Sequence, residues 1–213
     1  MKRIVVFLGL LVCIAMAGFG QQDTLNGKVK YSRDFVFKDG IFATFGEFKQ
    51  NEPSITVFEV QREENNSGGE EFVLKYAKID STGAKNNYII SRCFGFCKDG
   101  VLYLSQGDYG YYRMFIIGAL SHYMAYNHKP RADVDAFGDP TGLMWSADEF
   151  SEYLLVFETG KTFLFTYQNF RDFLKVNDAD LYQQLESSKN KRDMIHHFLL
   201  LYNDKHPIYF PMN

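Results

Sequence analysis

The side chains most able to do chemistry here are histidines and carboxylates, so their spacing comes first. The densest set of ligand-type residues is His122, His128, Asp133 and Asp135. The run Asp133-Val134-Asp135-Ala136-Phe137-Gly138-Asp139 begins like a calcium loop, with acids at positions one and three and glycine at six. It then departs from that pattern. Phe137 stands where a ligand is needed, and Met144 stands where the bidentate Glu should be. His122 and His128 lack the tight helical spacing of a zinc motif. His196 and His197 are adjacent, so on a helix they diverge by about 100°, and one is expected to pack while the other faces solvent. His206 precedes Pro207 and is expected to shape the C-terminal tail. The spacings therefore predict no metal site, and no cofactor is expected.

Nucleophiles are equally sparse. There is no G-x-S-x-G elbow and no glycine-rich phosphate loop. Beyond the N-terminal segment the only thiols are Cys93 and Cys97, in Cys93-Phe94-Gly95-Phe96-Cys97. Four residues apart on a strand they would lie about 13 Å from one another. A disulfide needs Cα atoms within roughly 7 Å, so only a sharp bend at Gly95 would permit one. Two buried, inert thiols are the expectation, with the bridged form as the alternative. No catalytic residue is assigned. With 26 acidic residues, a glycosidase-type carboxylate pair is an open alternative that sequence does not select. The remaining candidates are aromatic. Tyr103, Tyr109, Tyr111 and Tyr112 surround a glycine-containing turn and would bind a ligand by stacking if exposed. Cross-strand aromatic packing is the competing account.

The chain that must position these groups has 213 residues. Lys2-Arg3, the apolar run Ile4 to Ala17, and the small-residue pairs Ala15/Ala17 and Gly18/Gly20 have the layout of a secretory signal peptide. Residues 1–20 are accordingly read as the signal and 21–213 as a single globular domain of about 193 residues, an ordinary size. The run is shorter than the roughly 20 apolar residues of a spanning helix, and no transmembrane segment is expected after cleavage. The whole chain carries 23 basic and 26 acidic residues, net −3. Loss of Lys2 and Arg3 leaves 21 basic against 26 acidic, net −5, which gives no pull toward nucleic acid. The 21 Phe and 14 Tyr favour sheet.

The elements follow from turn residues and periodicity. Strands are expected over Tyr31 to Phe37, Ile41 to Phe45, Ile55 to Arg62, Phe72 to Ile79, Tyr88 to Phe96, Val101 to Ser105, Tyr111 to Ile117 and Ala119 to Tyr126. Turns at Gly40 and Gly100 would join paired strands, and Phe45 with Phe48 suggests a short helix before Pro53. Asn127 to Ser146, with Pro130, Gly138, Pro140 and Gly142, reads as a long loop or flap. A second hairpin turns at Gly160. Helices then run from Thr166 to Val176, from Asn177 or Asp178 through Leu185, and from about Lys191 to Tyr202. The predicted fold class is α+β: an antiparallel β-meander of about 8–10 strands followed by a C-terminal hairpin and helices. Phe37-x-x-Gly40-x-x-x-x-Phe45 matches Phe157-x-x-Gly160-x-x-x-x-Phe165 in spacing, which raises a repeat of two hairpin–helix units.

The phrases Lys38-Asp39-Gly40-Ile41-Phe42, Asn51-Glu52-Pro53-Ser54, Phe94-Gly95-Phe96-Cys97-x-Asp99-Gly100 and His206-Pro207-Ile208-Tyr209-Phe210-Pro211 resemble an uncharacterised family of small exported proteins from Gram-negative bacteria. That resemblance implies export and no particular activity. The expectation is a non-enzymatic periplasmic or cell-surface protein that binds an envelope protein or a small ligand. A small exported hydrolase acting on envelope or glycan material is the alternative.

Overall fold

The structure is a computed structural model that describes residues 24–64, 70–79, 82–90, 92–106, 110–127, 130–134, 140–145 and 149–212. The expected signal segment lies outside them. Strands β1 (Thr24–Leu25), β2 (Lys28–Lys30) and β3 (Gly40–Phe42) precede helix α1 (Phe45–Gln50). Strands β4 (Glu59–Glu64), β5 (Glu70–Ile79), β6 (Lys85–Ile89), β7 (Gly95–Lys98), β8 (Val101–Ser105), β9 (Tyr111–Ile116) and β10 (Leu120–Asn127) follow. After β11 (Pro130–Val134) and β12 (Pro140–Trp145) come β13 (Glu149–Val156), β14 (Thr162–Leu164), α2 (Tyr167–Asn177), α3 (Ala179–Ser187), α4 (Ile195–Lys205) and β15 (Tyr209–Pro211).

The α+β reading holds. A seven-stranded antiparallel sheet, in the order β14-β13-β10-β9-β8-β7-β3, is a meander with one edge strand added from upstream. Gly100 and Gly160 turn hairpins as expected, Asp99 and Gly100 both with positive φ, the geometry of a tight two-residue turn. Gly40 does not. It opens β3, which pairs with β7 through Gly40↔Cys97. Glycine is needed there because a Cβ would stand 2.5 Å from the Pro53 ring. Tyr31 to Phe37 is not a strand. Its rings are drawn into a cluster in which Phe35 and Phe37 lie 4.9 and 5.1 Å from Phe210, so aromatic burial overrides the alternating pattern. The expected Tyr88–Phe96 strand is split into β6 and β7, because the two halves pair in different sheets, β6 with β5 and β7 with β3 and β8.

The segment expected as a long loop contains β11 and β12, paired antiparallel from Pro130↔Trp145 to Val134↔Pro140. Pairing is a backbone property and needs no apolar period, which is why the composition hid it. Both prolines sit at the first residue of a strand, where a missing N–H is tolerated.

Each face of the main sheet buries a different core. Phe42, Leu102, Leu104, Met114, Tyr123 and Leu155 face an aromatic cluster with Phe37, Phe48, Phe157 and Phe210. On the other face, Leu120 and Leu154 meet Phe170, Leu174, Leu185, Phe198 and Leu199 of α2–α4. Farther along that face, Ile41 and Phe96 pack under the small β4-β5-β6 sheet through Leu74 and Phe72. The two glycine-centred phrases are not equivalent units. The second is a hairpin and the first is not, and the helix caps are offset: Thr44 precedes Phe45, whereas Phe165 precedes Thr166.

Three helix N-termini are capped by side chains. Thr44 Oγ1 accepts from Glu47 N–H, and Thr166 Oγ1 from Asn169 N–H, both at 3.2 Å. Asp178 caps α3, accepting from Leu181 N–H at 3.1 Å, and also accepts from Lys205 at 2.8 Å and pairs with His206 at 2.9 Å. Burial pushes this carboxyl up, but hydrogen bonds from Lys205, His206 and Leu181 outweigh it and hold it at about 2. A depressed carboxyl stabilises the fold above its unfolded value and loses that contribution as pH falls through its folded one. Asp178→Ala is expected to cost about 1–2 kcal/mol in chemical denaturation at pH 7. The difference from wild type should shrink as pH falls from about 4 toward about 2; an equal difference at both ends would contradict the assignment.

Candidate functional site

Two places bring functional groups together, one on the helix-covered face and one at the end of the main sheet. The first is built on the β10–β13 ladder, which pairs eight residues from Leu120↔Val156 to Asn127↔Glu149. Directly opposed residues share a face and alternate along each strand. His122 opposes Leu154, and Glu152 opposes Met124, so His122 and Glu152 lie diagonally on one face. Helix α4 is fixed above them by Asn203. Its amide accepts from Leu120 N–H and donates to Leu120 O, both at 2.8 Å. Gly118 is bare because a Cβ would stand 2.5 Å from that amide. His196 precedes Asn203 by seven residues, two turns, and so shares its face.

The result is a convergent triad. His122 Nε2 lies 3.0 Å and His196 Nε2 2.8 Å from the same Glu152 oxygen, Oε2. His122 is 7% exposed, whereas the His196 side chain is about half exposed. The ring of Phe165 meets both imidazoles edge-on, at 5.7 and 4.9 Å. Burial lowers the His122 pKa against the opposing effect of Glu152. Exposed Phe115, Met124 and Phe150 flank the group. The sequence linked His122 with His128, Asp133 and Asp135. His128 and Asp135 lie outside the described residues, and Asp133 falls in β11. Among the described residues its companions are 30 and 74 residues away, and only the pairing of β10 with β13 could have revealed Glu152. His196 and His197 are both exposed, so neither is the packed member expected.

The second place is a pocket of about 510 Å³ where the end of β13 meets α1, α2, α4 and the N-terminal hairpin. Val156, Phe157, Phe173, Tyr202 and Ile208 form apolar walls, and Lys28, Lys49, Glu158, Asn177 and His206 add polar groups. Lys49 Nζ sits 5.3 Å from the Phe157 ring centre.

The tyrosines singled out by the sequence are distributed differently. Tyr103 stacks on Phe96 at 4.7 Å, and Tyr111 meets the same ring at 5.3 Å. Both belong to the layer under the small sheet. Tyr112 packs against the aromatic core on the opposite face, and Tyr109 lies outside the described residues. The arrangement of Tyr103 and Tyr111 is cross-strand packing.

Cys93 and Cys97 are free thiols. Cys93 and the Tyr111 hydroxyl are in hydrogen-bond contact at 3.4 Å, and desolvation raises the Cys93 pKa. Cys97 is fully buried. Its thiol points to Asp39 Oδ1 at 3.6 Å, a carboxylate that also accepts from the N–H groups of Asp99 and Gly100. Burial, reinforced by the Asp39 charge, pushes this thiol up to about 12.

No family model matches the chain, and neither a curated protein nor a solved structure is significantly similar to it.

Thiolate reactivity follows pKa and access. Peptide mapping after brief maleimide treatment at pH 8 should find Cys97 unmodified in the native protein and fully modified in denaturant. Rapid native labelling of Cys97 would contradict its placement.

Proposed function

We propose that this is a non-enzymatic exported protein of the periplasm or cell surface that binds a small ligand with an apolar body and an acidic group. Export is supported by the Lys2-Arg3 n-region and the apolar run to Ala17. It also agrees with the resemblance of the Lys38–Phe42, Phe94–Gly100 and His206–Pro211 phrases to small exported proteins of Gram-negative bacteria. Among the described residues no helix is long and apolar enough to cross a membrane.

The observation that carries the ligand reading is the pocket beside β13. Its volume of about 510 Å³ falls within the range of small-molecule sites, roughly 300–1,000 Å³. Apolar walls supply affinity, and a few polar groups fix orientation. Lys28 and Lys49 outnumber the single carboxylate of Glu158 at the lining, so the pocket favours an anionic group on its ligand. An exported hydrolase is the second reading, and the His122–Glu152–His196 convergence is what favours it.

A dye with an aromatic body and a sulfonate, anilinonaphthalene sulfonate, is a suitable probe. The folded protein should bind it saturably at one site. Asn177 is exposed at the end of α2 and lines the pocket. Asn177→Trp should therefore close the mouth and abolish binding without unfolding the chain, and Lys49→Glu should weaken it at least about ten-fold, the equivalent of ~1.4 kcal/mol. Absence of saturable binding, or equal binding by the Trp variant, would overturn the pocket reading.

A further inference from the structure

We propose that His122, Glu152 and His196 form a binding site for a divalent transition-metal ion of the zinc class, with one coordination position left open to solvent. Their three donor atoms lie within 4.8 Å of one another. They come from three separate elements, β10, β13 and α4, so no local motif announces them.

The geometry goes further than an ion pair requires. One imidazole would satisfy Glu152, yet two approach the same oxygen, Oε2, at 3.0 and 2.8 Å. The Nε2 atom that donates a proton along such a vector presents a lone pair along it once deprotonated, so the convergence that makes two hydrogen bonds also fits a metal. Two donors on a tetrahedral zinc with bonds of about 2.0–2.1 Å stand about 3.3 Å apart. The two nitrogen–oxygen separations need to spread by only a few tenths of an ångström, and the two Nε2 atoms, within 4.8 Å of each other, must settle to the same spacing by a shift of the His196 ring. Movement of that size is available, because the His196 side chain is half exposed on the first turn of α4. His122 and Glu152 are fixed by the strand ladder, and Phe165 orients both rings.

The donor set identifies the ion. Two imidazoles and one carboxylate, with no thiolate, suit zinc, cobalt, nickel or copper, whereas calcium and magnesium prefer all-oxygen cages. Two histidines and a glutamate are also the three-ligand set that leaves a fourth position for water or an incoming donor. The exposed edge of the site, beside Phe115, is where that position opens. The proposal departs from the sequence-based expectation of no metal, which rests on spacings along the chain.

The test is titration of the purified, metal-stripped full-length protein with zinc at neutral pH by calorimetry, and with cobalt by visible absorption. One equivalent of zinc should bind, and cobalt should give the d–d bands of a site with mixed nitrogen and oxygen donors. His196→Ala and Glu152→Gln should each weaken zinc binding at least about ten-fold. Neither substituted side chain is itself buried, and circular dichroism will verify folding. His197→Ala, one residue away and outside the triad, should bind as wild type does. Absence of one-equivalent binding overturns the proposal. So does unchanged affinity in the folded His196→Ala and Glu152→Gln variants, or a loss confined to His197→Ala, which would mark an adventitious surface histidine. His196→Ala should still bind the sulfonate dye, so the outcomes for the metal site and for the pocket are independent.

Discussion

The convergence of His122, Glu152 and His196 hangs on the register of β10 against β13. Side chains alternate across a sheet, so a slip of one residue would exchange the faces completely. In the observed register Leu120, His122, Glu152 and Leu154 face the helices, while Tyr123, Ala125 and Leu155 face the aromatic cluster. Leu120, Tyr123, Leu154 and Leu155 are all fully buried. Each contributes about 1.5–3 kcal/mol of burial, and a slipped register would forfeit several of these at once. The apolar residues thus fix the polar ones: His122 and Glu152 are diagonal neighbours because the leucines around them admit no other pairing.

The helices then complete what the ladder begins. Asn203 occupies both backbone groups of Leu120 with its single amide, at the end of β10 next to the irregularity in its pairing with β9. That clamp sets the height of α4 over the sheet and, two turns earlier, the position of His196. Just past Asn203, Asp178 ties the start of α3 to the end of α4 through Lys205 and His206. Buried carboxylates are costly unless paired and hydrogen-bonded, and this one is both. The pocket lies beside that junction, lined by Tyr202 and His206, so the element that carries His196 at its start also lines the pocket at its end.

The strands from Val101 to Ser105 and from Tyr111 onward, the hairpins at Gly100 and Gly160 and the C-terminal helices were legible because turn glycines and periodicity are local signals. Tyr31 to Phe37 misled because its aromatics satisfy a cluster assembled from Phe48 and Phe210, a contact across nearly the whole chain. Gly40 misled because a crowded approach to Pro53 and a tight turn both demand glycine. The triad was illegible for a stricter reason. His122 stands out in the sequence, but its partners among the described residues lie across a strand pairing and a helix docking rather than nearby in the chain. The free, shielded state of Cys97 was readable from its apolar strand context, while its contact with Asp39 was not.

Native-state hydrogen exchange, followed by residue-resolved NMR, tests the dependence on this ladder most directly. Amides that exchange only through global unfolding mark the most stable unit of a fold. The account predicts that the paired amides of β10 and β13, from Leu120 to Ala125 and from Ser151 to Val156, are among the slowest in the protein. They should share one opening free energy with the buried turns of α4. Exchange of β10 and β13 through local openings, while α2–α4 or the β4-β5-β6 sheet remain protected, would contradict it.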